Sequence, residues 1–160
     1  MHRSVEAGQL GMNQPVFEEL SFVNIRQVVP LYMDVFNSDP WNDGWGEEAA
    51  TERMTSFASY PEFFGLSLMM NKVLVGFALG WAERWVNAWQ FHLYEMCISP
   101  GMQGGGYGRM LLSELEKQTK QRGQTAIFLQ TGAQVPAHRF YEACGYRDRG
   151  LTIMGKRYAD

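Results

Sequence analysis

Residues 98–112 read ISPGMQGGGYGRMLL, and five glycines lie between an apolar run ending at Ile98 and the apolar, helix-patterned residues from Met110 on. Glycine so dense costs backbone entropy unless the chain needs positions that a Cβ would block. Two nucleotide-loop patterns fail on spacing. A dinucleotide G-x-G-x-x-G would need glycine where Arg109 or Leu111 stands, and a P-loop would need Lys and a hydroxyl where Tyr107 and Gly108 stand. What survives is physical: glycines leading into a helix N-terminus let successive backbone N–H groups converge on an anion. Residues Gln103 through Arg109 could so wrap a pyrophosphate, with amides in place of lysines. A tight strand-to-helix connection, its glycines there for packing, is the alternative, and these residues alone leave both open.

Working outward, AWQFHLYEMCIS (88–99) is a strand whose alternation puts Trp89, Phe91, Leu93, Glu95 and Cys97 on one face. YGRMLLSELEKQTKQRG (107–123) is a helix with Tyr107, Met110, Leu111 and Leu115 inward and Gly123 at its C-cap, and TAIFLQT (125–131) is the next strand. PAHRFYEACGY (136–146) is a short helix with Pro136 near its start and Gly145 at its end. Toward the N-terminus, 15–22 reads as a strand, 24–37 as a helix that Pro30 kinks or delays, and 47–60 as a helix with an acidic first turn. Residues 62–86 form a hairpin turning at Asn71-Lys72, and 146–158 close the chain as one or two strands. The result is one mixed α/β domain over residues 1–160, with 1–13 expected to be flexible.

The chain has 160 residues, 46% apolar and 19% charged, enough to bury a core. A net charge of −3 excludes a general nucleic-acid binder, which needs a basic patch, and suits a cationic small substrate. The longest apolar-leaning run is broken at Asn71 and Lys72, so no membrane span is expected. Cys97 and Cys144 both sit in apolar patterns, as two reduced thiols would. With MHRSVEAGQL lacking an apolar core, the cytoplasm is the expected compartment. His2, His92 and His138 lack metal-ligand spacing, so no metal is expected.

Gln103-Gly104-Gly105-Gly106-Tyr107-Gly108 resembles the Q/R-x-x-G-x-G/A signature of the GNAT superfamily of acyl-CoA N-acyltransferases. EMCISP (95–100) is similar to that family's strand ending in an apolar-x-Pro step, and PAHRFYEACGY to its A-x-x-x-[FY]-Y-E-x-x-G-[FY] segment. The two linked motifs cover residues 88–146. The resemblance implies a mostly antiparallel sheet of six or seven strands with four helices, splayed between its two central strands. It implies acetyl-CoA as co-substrate. Main-chain groups of Met96, Cys97 and Ile98 would meet the pantetheine, and the amides of Gln103, Gly104, Gly105, Gly106, Tyr107, Gly108 and Arg109 the pyrophosphate. Gln134 stands where the family often has a cofactor-contacting Asn. Homodimers are common in the family, which makes a homodimer one expected assembly.

Acetyl transfer to an amine has two proton problems: the amine must be neutral and the departing thiolate gains from a donor. Tyr141 is the donor by resemblance; the other reading packs it with Ala137, Phe140 and Cys144. Glu95 is the base. A carboxylate between Leu93 and Cys97 is out of place in a core unless paired, for instance with Arg84 or Arg139, or put to use. Trp41, Trp45 and Trp89, with Asp39, Asp43, Glu47 and Glu48 near, suit an amine pocket; the other reading is a loop anchored in the core by its tryptophans, with acids clustered at a helix start. The expected function is N-acetylation of a primary amine of a small molecule by direct attack in a ternary complex. Two alternatives stand beside it: a non-catalytic acyl-CoA sensor of the same fold, and a protein or peptide N-acetyltransferase.

Overall fold

The computed structural model describes residues 14–158, so the expectations for residues 1–13 and His2 fall outside the described residues. Contacts divide the chain into two compact units, residues 1–130 and 131–160. In the first unit five strands lie in the order β1 (Val16–Glu19), β2 (Phe63–Met70), β3 (Val73–Trp85), β4 (Ala88–Ile98), β5 (Gln124–Leu129). The first three pairings are antiparallel and β4–β5 is parallel. Asn71 and Lys72 turn the β2–β3 hairpin with φ of 50° and 65°, the left-handed pair that a two-residue hairpin loop requires.

Pro30 delays its helix rather than kinking it. A 3-10 turn (Ile25–Val28) precedes α1 (Val29–Phe36), and the proline sits in the first turn, where its missing N–H costs nothing. Helix α2 (Glu47–Ala58) opens on Glu47 and Glu48. Ile25, Val28, Tyr32, Ala50, Met54 and Phe57 bury together with Phe77, Leu79 and Cys97 on one face of the sheet. Helix α3 (Tyr107–Gln121) follows β4 and packs against β2, β3, β4 and β5. It buries Leu111, Leu112, Leu115 and Thr119, whereas Met110, expected inward, is 37% exposed.

Strict alternation along β4 does not hold. Leu79 pairs with Glu95 but Gly80 with Leu93, so Tyr94 is an extra residue, a β-bulge. Residues opposite one another on an antiparallel ladder share a face. Glu95 and Cys97 therefore lie with Leu79 and Phe77 under α1 and α2, and Phe91 and Leu93 lie on the opposite face with Ala82 and Gly80. The expectation of one common face for these four residues is corrected by that single insertion. The bulge also demands a glycine opposite it: a Cβ on Gly80 would sit 1.8 Å from the His92 carbonyl oxygen.

Residues 131–158 hold α4 (Pro136–Ala143). The strands expected over 146–158 are absent among the described residues, which leaves five strands in place of six or seven. Gly150 has φ +68° and its N–H donates to Asp148 Oδ1 at 2.7 Å. This local turn competes with an extended ladder, and Leu151, Ile153 and Met154 stay 72–91% exposed.

Gly80→Ala is expected to lower stability by about 3 kcal/mol or more through overpacking against the β4 backbone, read as a drop in denaturant midpoint. Gly101→Ala, whose added Cβ meets nothing within 4 Å, should leave the midpoint near wild type.

Candidate active site

Glu95 is 8% exposed and faces α2, where Arg53 meets it. The Arg53 Nη2–H donates to Glu95 Oε1 at 2.7 Å and the Nε–H to the same oxygen at 3.2 Å. The expected partners Arg84 and Arg139 are displaced by this arginine from another element. The Arg53 guanidinium rests over Phe57 at 4.8 Å, Trp45 at 5.3 Å and Tyr94 at 5.9 Å, ring faces that attract a cation. Burial raises the Glu95 carboxyl above the ordinary carboxylate range; Arg53 opposes that rise and Asp43 adds to it. Burial, and then the Glu95 charge, raises the neighbouring Tyr32 phenol, which is 2% exposed. Burial, and then the Glu95 charge, also pushes the Cys97 thiol well up, which favours its protonated form.

The loop before α2 builds one wall. Asn37 clips Trp45 at both backbone groups: its Nδ2–H donates to the Trp45 carbonyl at 2.9 Å, and its Oδ1 accepts from the Trp45 N–H at 2.6 Å. The Trp45 indole N–H donates to Asp43 Oδ2 at 3.0 Å, and its ring meets Tyr32 at 5.4 Å. Trp45 is thus both anchor and wall. Trp41 lies further out, 38% exposed with its ring 5.9 Å from Phe36. Asp39 accepts from the Asn42 side chain. Trp89 sits six residues from Glu95 along β4, beside Arg84, and is not brought to this site. A second aromatic group adjoins Glu95: Trp81 lies 4.7 Å from Tyr94 and 4.8 Å from Tyr60, with Phe57 5.1 Å from Tyr94.

The β4–β5 ladder ends at Leu93 and Leu129, while β4 runs on to Ile98, so the two strands part there. The Ser99 N–H donates to the Val75 carbonyl at 2.8 Å, which fixes the phase of the outer ladder. Since backbone groups alternate sides, Cys97 also faces β3, and Met96 and Ile98 present theirs to the parted side. Of the three residues expected to offer main-chain groups, Met96 and Ile98 turn theirs to the parted side, while those of Cys97 face its ladder partner Phe77. The Gln103 side chain closes the corner, its Nε2–H donating to the Ile98 carbonyl at 3.1 Å.

Beyond it, Gly104 and Gly106 have φ of +79° and +85°, the left-handed region, and no atom lies within 4 Å of where either Cβ would be. Gly106 is the N-cap of α3, and the first helical bond runs from the Met110 N–H to its carbonyl at 3.1 Å. The amides of Tyr107, Gly108 and Arg109 precede that ladder, at the positive end of a 15-residue helix. Such a cradle fits a pyrophosphate. In residues 131–158, Tyr141 is half-buried, its ring 5.2 Å from Phe140 and 5.7 Å from Tyr146, and Gln134 is exposed.

A family model described as Acetyltransferase (GNAT) family matches residues 26–146. The chain belongs to that family. It is 27% identical over 109 residues to the [ribosomal protein bS18]-alanine N-acetyltransferase of Haemophilus influenzae, covering 68% of this chain. The chain spans 66% of the length of that curated relative. Its fold superposes on aminoglycoside N-acetyltransferase AAC(6′)-Iy, solved with CoA, at TM-score 0.74 and 12% identity over 92% of this chain and 97% of that one. It also superposes on a ribosomal-protein-alanine N-acetyltransferase of Brucella melitensis, at TM-score 0.70 and 12% identity over 91% and 100%.

Arg53, Tyr32 and Tyr94 were not found by sequence reasoning. A signal existed for Arg53: Ala50, Met54 and Phe57 form the buried stripe of α2, and Arg53 is a charge inside it.

Gly106→Ala is expected to raise the KM for acetyl-CoA several-fold and leave the acceptor KM near wild type. Holding a Cβ at φ +85° costs about 1–2 kcal/mol in a loop outside the core, so the melting profile should shift little. Equal rises in both KM values would assign the loop to folding instead.

Proposed function

We propose that the protein is an N-acetyltransferase that moves an acetyl group from acetyl-CoA to a primary amine by direct attack, with Glu95 as the base. The observation that carries this reading is a nearly buried carboxylate, raised above its ordinary range, set where β4 parts from β5 beside the glycine loop. Acetyl-CoA supplies the thioester, whose C–S bond breaks as the amine nitrogen bonds the carbonyl carbon. Met96 and Ile98 offer main-chain groups to its pantetheine arm, and the Gly104–Arg109 loop offers amides to its pyrophosphate. Glu95 takes the proton that the amine sheds, directly or through a water. Tyr141, the tyrosine of the family's segment, gives its phenol proton to the departing sulfur and is reprotonated from solvent. The Cys97 thiol, raised by burial, supports transfer without an acyl-enzyme.

The acceptor is proposed to be a small-molecule amine, received by the Trp45 wall and the Trp81–Tyr94 aromatic group, whose ring faces suit a cation. A peptide acceptor is the second reading, favoured by the likeness to the enzyme named for the alanine of bS18.

The test is thiol release from acetyl-CoA against monoamines, polyamines, aminoglycosides and alanine-initiated peptides. A small amine is expected to raise release well above background, and Tyr141→Phe to slow it about 10-fold or more with CoA binding kept. Release with peptides alone would move the assignment to the second reading. CoA binding with no turnover on any acceptor would leave a non-catalytic binder.

A further inference from the structure

Two contacts from one guanidinium to one carboxylate oxygen are an unusual use of a fork that could bridge both. Arg53 Nη2 and Nε both reach Glu95 Oε1, and among the described residues no hydrogen bond is made to Oε2. The arginine is itself held. Its guanidinium is enclosed by Trp45, Phe57 and Tyr94, from the loop, from α2 and from the bulge. Its side chain is only 34% exposed, against 9% for that of Glu95. An exposed ion pair would be mobile and screened; a caged one has a single geometry.

We propose that Arg53 is a positioning residue that grips Oε1 of Glu95 and leaves Oε2 as the oxygen that takes the amine's proton. This rests on the reading of Glu95 as the base. Other groups facing the carboxylate are few. Tyr32 comes from α1, Asp43 from the loop before α2, and Cys97 from β4 itself, while β3 presents Leu79 opposite it. Arg53 is the cation among them. Its charge and hydrogen bonds oppose the rise that burial imposes on the Glu95 carboxyl, and so favour the ionised form.

The sign follows. A base works deprotonated, so the rate climbs with pH through the Glu95 titration. Removing Arg53 removes the group that lowers it, and the acidic limb moves to higher pH.

The experiment is the pH profile of kcat for wild type, Arg53→Met, Arg53→Lys, Glu95→Gln and the Arg53→Met/Glu95→Gln double variant. Arg53→Met is expected to move the acidic limb up by about one to three pH units, the shift an adjacent opposite charge produces. Its KM for acetyl-CoA should be unchanged. Arg53→Lys, which keeps the charge and loses the fork, should restore most of the limb. In the Glu95→Gln background Arg53→Met should add little, because its effect passes through Glu95.

A limb that stays in place while the rate falls at every pH would overturn the proposal, as would full additivity in the double variant. Should Arg53→Met fail to fold, Arg53→Gln carries the same test: it drops the charge while keeping an amide in reach of Oε1. Wild-type rates from Glu95→Gln would instead sink the base reading beneath it.

Discussion

A strand can change which face its side chains address only by adding a residue, and β4 does so at Tyr94. With unbroken alternation Glu95 would share the face of Leu93 and Phe91, opposite the helices that carry Arg53 and Tyr32 and the loop that carries Trp45. The insertion turns Glu95 and Cys97 toward α1 and α2 and brings Tyr94 to the same side, against Trp81 and Phe57. Gly80 permits it, because any side chain there would strike the His92 carbonyl. Glycine in β3, bulge in β4 and carboxylate in the site are one chain of cause.

The carboxylate so placed is costly to bury, and a caged arginine only partly offsets the cost. A buried ion pair is often no more stabilising than an apolar pair of the same size, so its presence calls for a reason other than stability. Here the pair lies where β4 leaves β5, and burial raises the carboxyl above the ordinary carboxylate range. The same strand ends in a corner closed by Gln103 onto Ile98, and the chain then enters α3 through two glycines in the left-handed region. One strand therefore carries both features that the proposed acyl transfer would use: a nearly buried carboxylate, and the approach to an anion cradle.

Much of this was legible in the amino acids. The glycine loop, the helix after it, the Asn71-Lys72 turn and Glu95 as a misfit carboxylate all follow from local chemistry acting within a few residues. What was not legible depends on pairing across the chain. Whether β4 bulges is decided by its register against β3, 13 residues away in the Leu93–Gly80 pairing, so alternation alone misassigned the faces. Arg53 reaches Glu95 over 42 residues; its place in the buried stripe of α2 marked it as a charge needing a partner, but nothing local named Glu95 as that partner. The closing strands failed for the opposite reason: residues 146–158 alternate well enough, but the Asp148–Gly150 turn satisfies the backbone locally. Trp45 was legible as an aromatic near the site; that Asn37 holds it by two backbone bonds was not.

The most direct test of this account is the rate of acetyl transfer by Glu95→Gln, measured beside its affinity for CoA. Glutamine keeps the shape and accepts a hydrogen bond from Arg53 but cannot take a proton at neutral pH. The account predicts a fall in kcat/KM of about 100-fold or more, with CoA affinity unchanged. Transfer at the wild-type rate would contradict it, and would reduce the Arg53–Glu95 pair to a structural contact.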